Sequence, residues 1–290
     1  MNYVNSKTIL SPKNGINLYR GCTHGCIYCD SRSHCYGMEH EFEDVAVKAN
    51  GLELLEAALR GKRKPCMIST GSMSDPYMPL ETELGYTRRC LELIERYNHG
   101  FTVITKSDGV LRDLDLLRSV NAQGKAVVQM TLTTFDDDLC RILEPNVCPT
   151  SRRIEVLNIL RDNGIPTVVW LCPILPFIND TRENLEGILA ACIEAKVKGI
   201  ICFGMGLTLR EGNREYFFRQ LDRHFPGLKT EYIRHFGLQY AVNSPRDAEL
   251  MACFHEICEK HGILHNNEEI FAYLNTFESR QADAQYTLWE

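Results

Sequence analysis

Three cysteines fall within the segment RGCTHGCIYCD (20–30): Cys22, Cys26 and Cys29, spaced by three and then two residues, with His24 inside the loop and Cys35 six residues further on. Thiolates at this density bind metal, and the spacing bears on which metal. A structural zinc site closes four ligands, commonly from two paired knuckles, and no second CxxC knuckle occurs in the chain. Zinc could recruit His24, His34 or Cys35, but three thiols in so short a stretch crowd one tetrahedron. An iron–sulfur cube suits the loop better, because each cysteine then binds a different iron and occupies one corner. Electron-transfer clusters take four cysteines. Three leave one iron open, and an open metal position marks a catalytic site rather than a closed structural one. Cys35 is then either the fourth ligand of a ferredoxin-like centre or a bystander to a three-cysteine centre.

Such a loop needs a scaffold. Short apolar, β-rich runs, PCMIST (65–70), FTVITK (101–106), AVVQMTLTT (126–134), PTVVWLCPI (166–174) and KGIICFGMG (198–206), alternate with helix-period segments such as TELGYTRRCLELIERY, SRRIEVLNILRDNG and TRENLEGILAACIEA. Nearly continuous apolar strands alternating with helices signal a parallel sheet with helices outside. With a first strand near INLYR the chain holds six βα units. Periodicity alone fits a partial barrel or a doubly wound open sheet. The expected architecture is α/β, a partial (βα)6 TIM-like barrel of parallel strands with outer helices and a C-terminal helical layer. A core over 1–235 and a helical extension over 236–290 packed on it are expected, with the tail TFESRQADAQYTLWE loosely held. In either fold, ligands bind at the C-terminal ends of the strands. There the sequence places the cysteine loop, TGSMSDPY, TKSD, TLTTFD and CPILPF.

CxxxCxxC with Tyr28 directly before the third cysteine resembles the signature of radical S-adenosylmethionine enzymes. YRGCTHGCIYC, GSMSDPYMPLE, ITKSD, TLTTFDDDL…LEP and PILPFIND, in this order, are similar to the group related to spore photoproduct lyase, over roughly residues 15 to 240. The resemblance implies a [4Fe-4S] cluster on Cys22, Cys26 and Cys29 whose open iron is chelated by the amino and carboxylate groups of S-adenosyl-L-methionine. The reduced cluster would cleave this cofactor to a 5′-deoxyadenosyl radical that abstracts hydrogen from an organic substrate. It also implies cofactor contacts for this chain: Lys106 to the carboxylate, Ser74 and Thr131 by hydrogen bonds, and Tyr28 near the adenine. The family usually has serine where Thr131 stands. A flavodoxin- or ferredoxin-like cellular reductant is implied as partner, and the unknown substrate is expected to be an organic molecule, with nucleotides or nucleic acid among the candidates. The lyase itself carries a hydrogen-donating cysteine where this chain has Ser72, so efficient spore-photoproduct repair is not expected. Cys172 or Cys202 could substitute only by pointing into the pocket.

Other residues read structurally. Asp75 before Pro76 suits a turn or helix start and Glu81 a first-turn acid. Glu144 and Arg153 suit an internal ion pair as readily as a substrate contact. Arg210 and Arg214, four apart, would share a helix face if the helix starts there, most simply as exposed polar surface. The cluster Arg60, Lys62, Arg63, Lys64 suits a solvated helix C-terminus.

The composition excludes other classes. The 290 residues are 44% hydrophobic and 24% charged, ordinary for a globular protein. The 13 cysteines, odd in number and unevenly spaced, do not read as a disulfide framework. No secretory leader or membrane span is visible, so a reducing cytoplasm is expected. A net charge of −6 disfavours a general nucleic-acid surface, and with it a zinc-dependent nucleic-acid module. An iron–sulfur electron-transfer protein using Cys35 is the other alternative.

Overall fold

The computed structural model describes residues 2–38 and 40–280. The apolar runs become six parallel strands: β1 (Gly15–Ile16), β2 (Met67–Thr70), β3 (Gly100–Thr105), β4 (Ala126–Thr131), β5 (Thr167–Trp170) and β6 (Gly199–Ile201). They pair in strictly sequential order. A doubly wound sheet would reverse its strand order at a switch point, so this is the partial-barrel solution. The connecting helices are α1 (Gly51–Arg60), α2 (Tyr86–Arg96), α3 (Leu114–Gln123), α4 (Thr150–Asp162) and α5 (Arg182–Glu194). Helix α2 shows how they dock: Thr87, Cys90, Leu91 and Ile94 bury one stripe at helical spacing. The run TELGYTRRCLELIERY is broken at Gly85, which adopts φ 61° between a short helix, Glu81–Leu84, and α2.

The segment INLYR divides. Gly15–Ile16 joins the barrel beside β2, whereas Tyr19–Arg20 pairs antiparallel with Ala46–Lys48 in a separate small sheet. Leaving the barrel here lets the chain carry the cysteine loop over the strand ends.

The two faces of the sheet have different neighbours. Val103, Val128, Met130, Val169 and Ile200 join Leu117, Leu160 and Ile188 of the outer helices in one core. The alternate positions Val127, Val168 and Ile201 pack instead with Ile270 and Leu274. Strand alternation therefore assigns the second set to the inner face.

After β6 come α6 (Asn213–His224), α7 (Leu228–Phe236), α8 (Asp247–His261) and α9 (Asn267–Asn275). A strand, Ala241–Asn243, also pairs antiparallel with Gly206–Thr208, so the C-terminal part is not purely helical. Helix α8 packs on α5, and α9 lies against β6, covering the inner face. The start of the expected loose tail is tied down. Lys125 Nζ, fully buried, donates to Tyr273 O at 2.7 Å and to Glu278 Oε1 at 2.8 Å, and Arg280 Nη1 donates to Asn121 O at 2.9 Å. Residues 281–290 lie outside the described residues.

Candidate active site

The cysteine loop enters through Gly21, whose φ of +92° is open to glycine and where a Cβ would sit 2.4 Å from Phe42 O. Cys22 N donates to Phe42 O at 3.0 Å, Ile27 N to Leu143 O at 2.9 Å and Cys29 N to Cys26 O at 3.3 Å, which pins the loop at both ends and in its middle. Cys22 and Cys26 are buried and Cys29 is partly exposed. Burial, reinforced by Asp75, pushes the Cys22 thiol up to about 12. Burial also raises Cys26 well above the usual thiol value, against the lowering effect of Lys106. Without metal these groups are protonated. Ligation requires thiolates, so a bound metal would displace the protons and supply the missing positive charge. Among the described residues no three His, Cys, Asp or Glu side chains converge as one mononuclear ion would require. Three soft thiol donors on one loop fit an iron–sulfur group in which each binds a different iron.

His24, a possible zinc ligand by sequence, is engaged elsewhere: its Nδ1 lies 3.1 Å from Asn146 O and its Nε2 lies 3.1 Å from Asp75 Oδ2. Asp75 is the hub that joins the loop to the strand ends. It accepts from Thr105 Oγ1 at 2.8 Å, Lys106 N at 2.7 Å and Tyr77 N at 2.8 Å. Burial alone would raise its carboxyl. The His24 ring and the donated amides outweigh this and hold it down at about 2. The turn before it is shaped by Gly71, where a Cβ would meet Ile104 O at 2.0 Å.

Lys106 thus has its backbone clamped by Asp75 while its Nζ lies 5.8 Å from the centre of the Tyr28 ring. No hydrogen bond or ion pair of that ammonium is found among the described residues. Burial lowers its affinity for a proton, but the Cys26 sulfur once deprotonated and the Glu144 carboxylate more than compensate and raise it above the usual lysine value. Tyr28 donates its hydroxyl to Glu144, and Glu144 pairs with Arg153, both fully buried. Arg153 also donates to Thr131 O and Cys148 O, each at 3.0 Å. Of the two readings of this pair, the internal one is correct. Ser74 is buried and donates to Tyr19 O at 3.2 Å, and Thr131 ends β4.

Glu81 is likewise structural: it accepts from Tyr86 N at 3.1 Å and Thr87 N at 3.0 Å at the start of α2, and pairs with Arg112 at 2.9 Å. Arg210 and Arg214 do not share a helix face, because α6 begins only at Asn213. Arg214 satisfies the Leu209, Leu238 and Gln239 carbonyls. Arg210 reaches Tyr240 OH at 2.7 Å, Tyr36 OH at 3.2 Å and Cys35 Sγ at 3.3 Å. Cys35 is therefore exposed and engaged on the surface. Arg60 ends α1 and, with Arg63 and Lys64, is exposed.

The inner face above α9 carries a line of polar and aromatic side chains. Trp170 Nε1 donates to Gln129 Oε1 and Gln129 Nε2 to Thr102 Oγ1, both at 2.7 Å, which marks these as inward positions. Phe203, 62% exposed, stands beside Trp170 and Phe271 at ring distances of 6.1 and 6.3 Å. Cys172, two residues beyond Trp170, falls on this side by strand alternation, within electrostatic reach of both Cys202 and Lys106. Cys202 points the other way, 3.7 Å from Met251 on α8. Neither this Thr102–Gln129–Trp170 line nor the His24–Asp75 contact is legible in the sequence, since both join residues distant along the chain. The one signal for either was a glutamine inside the apolar run AVVQMT.

The six-stranded parallel partial barrel thus carries a cysteine-rich loop at its strand ends. The family model of the radical SAM superfamily matches residues 16–190, and the chain belongs to that superfamily. It is thus a radical SAM enzyme, a class that works with an iron–sulfur centre and S-adenosylmethionine. An uncharacterized protein of Methanocaldococcus jannaschii is 33% identical over 184 residues, covering 62% of this chain and 67% of the relative. One of Mycobacterium tuberculosis is 28% identical over 239 residues, covering 80% and 69%. The fold is shared with spore photoproduct lyase complexed with dinucleoside spore photoproduct, at a TM-score of 0.64 and 14% identity over 91% of this chain and 80% of that one. No helix among the described residues is long and apolar enough to cross a membrane.

Proposed function

We propose that Cys22, Cys26 and Cys29 hold a [4Fe-4S] cluster with one open iron, and that S-adenosylmethionine binds it with contacts from Lys106, Ser74, Thr131 and Tyr28. When bound, this pair supplies one-electron cleavage of the sulfonium and hydrogen abstraction from an organic substrate. The protein's own residues orient and shield. Asp75 fixes the Lys106 backbone, the Glu144–Arg153 pair fixes Tyr28 and the end of β4, and α9 covers the lower inner face. The observation that carries the reading is a charged, unpaired Lys106 ammonium beside the thiol loop, placed for an anionic partner such as the cofactor carboxylate. The proposal extends to a cytoplasmic setting, a flavodoxin- or ferredoxin-like reductant, and a core over 1–235 with its extension over 236–290. A nucleotide or nucleic-acid substrate is one candidate class, supported by the fold shared with a lyase solved with a dinucleoside ligand.

The test is Lys106→Ala. It should keep its iron and weaken S-adenosylmethionine binding by roughly 1.5–3 kcal/mol, the worth of a hydrogen bond to a charged group. Unchanged affinity in a titration would remove Lys106 from the site. Cys35→Ala should retain both iron content and the spectral response to S-adenosylmethionine, because the Cys35 thiol is held on the surface by Arg210. Loss of the cluster in that variant would favour a four-cysteine electron-transfer centre.

Spore-photoproduct repair is expected to be inefficient. Ser72 is exposed on the loop after β2, and a serine O–H bond is too strong to give up a hydrogen atom readily. Anaerobic incubation of the reconstituted enzyme with a spore-photoproduct dinucleotide should release deoxyadenosine without multiple-turnover repair. Repeated conversion to intact thymines would contradict this.

A further inference from the structure

A groove of about 270 Å³ runs along the outside of the cysteine loop. Gly25 and Ile27, the two neighbours of Cys26, lie in its lining together with Pro145, Arg141, Arg223 and His224. None of the inner-face residues Lys106, Trp170, Cys172 or Phe203 lines it. It therefore reaches the loop by a route separate from the inner face.

Its charge is opposite to that of the chain. The protein carries a net −6, yet this groove presents the Arg141 and Arg223 guanidiniums. Arg223 is exposed with no ion pair among the described residues, and Arg141 is paired with the exposed Asp138 and lies within electrostatic reach of Asp137. The single acid in the lining, Glu43, is already paired with Arg32. Tyr216 and Gln220 line the groove with Arg223. These residues lie on one face of α6, at a spacing of four and then three residues.

We propose that this groove docks an acidic one-electron carrier, a reduced flavoprotein or iron–sulfur protein with a negative surface, next to Cys26. The proposal rests on the functional reading above and adds the place where its reductant binds. Three features favour such a carrier. The basic surface is local and small, so it can steer an acidic protein patch, while the acidic remainder of the molecule repels a long polyanion. Peptide backbone continuous with Cys26 lines the groove, giving a short path from a docked carrier to the thiolate. The route leaves the inner face free for cofactor and substrate. The transfer is balanced: the carrier is oxidised by one electron, and the centre held by Cys22, Cys26 and Cys29 is reduced by one.

The experiment compares two reductants on the reconstituted full chain under anaerobic stopped flow. One is flavodoxin hydroquinone, an acidic protein. The other is photoreduced deazaflavin, a small neutral donor that needs no docking face. In the double variant Arg141→Glu/Arg223→Glu, reduction by flavodoxin at low salt should slow about tenfold or more and lose most of its ionic-strength dependence. Reduction by deazaflavin should be unchanged. Arg60→Glu, a charge reversal on α1, serves as the control and should leave both rates nearly unaffected. Unchanged flavodoxin kinetics in the double variant, or equal slowing in Arg60→Glu, would overturn the docking face while leaving the functional reading intact. So would loss of single-stranded oligonucleotide binding in the double variant with flavodoxin reduction preserved. A protein that takes up no cluster, and so gives no reduction by deazaflavin either, would overturn the functional reading and the docking face together.

Discussion

Alanine at any one of Cys22, Cys26 or Cys29 is expected to abolish iron retention and the broad visible absorbance of thiolate-bound iron in anaerobically purified protein. The loop offers no replacement ligand. His24 is committed to Asn146 and Asp75, and Cys35 is exposed beside Arg210. With one thiol removed, two irons of a cube would lack a protein ligand, and a cluster held at two corners does not persist. The loss should be complete rather than graded. Burial holds the Cys22 and Cys26 thiols protonated in the free protein, so each of these two must surrender a proton before it can bind. Iron and sulfide analysis reads the result directly. Stoichiometric zinc in place of iron, in the parent protein, would contradict it.

Arg153→Met is expected to destabilise the fold by about 3–5 kcal/mol, the range for breaking a buried pair by removing one partner. Arg153 and Glu144 are both wholly buried, and the guanidinium also satisfies the carbonyls of Thr131 and Cys148. The single variant would leave the Glu144 carboxylate without its main counter-charge in a dry site, with Lys106, Tyr28 and the Cys140 thiol nearby to help. Replacing both partners, Glu144→Leu with Arg153→Met, should recover a large part of the loss, because an apolar pair carries no desolvation penalty. Equilibrium urea unfolding of the two single variants and the double variant checks this. A single-variant cost under about 1 kcal/mol would place the pair among weakly coupled surface-like contacts.

Much of this architecture was legible in the chain. The apolar runs at 101–106, 126–134 and 166–174 became β3, β4 and β5 because fully buried parallel strands leave an unbroken hydrophobic signature. The choice between barrel and doubly wound sheet was not legible, since strand order leaves no trace in periodicity. The first barrel strand falls where INLYR begins but is short, ending at Ile16 before the chain turns to a second sheet, and the helix carrying Arg214 begins three residues beyond Arg210, so the two arginines do not share its face. The cysteine triad was plain because its spacing is local. The Asp75 hub was not, because its partners come from His24, Tyr77, Thr105 and Lys106, brought together only by the fold. The orientation of Cys172 and Cys202 also had to be read from their neighbours.

The most direct test of the central claim is to reduce the anaerobically reconstituted protein in the presence of S-adenosylmethionine and measure 5′-deoxyadenosine by mass spectrometry, beside the same preparation of Cys26→Ala. The account predicts 5′-deoxyadenosine and methionine from the parent protein and none above background from the variant. A parent protein that carries a full complement of reducible iron–sulfur cluster yet releases no 5′-deoxyadenosine would contradict it.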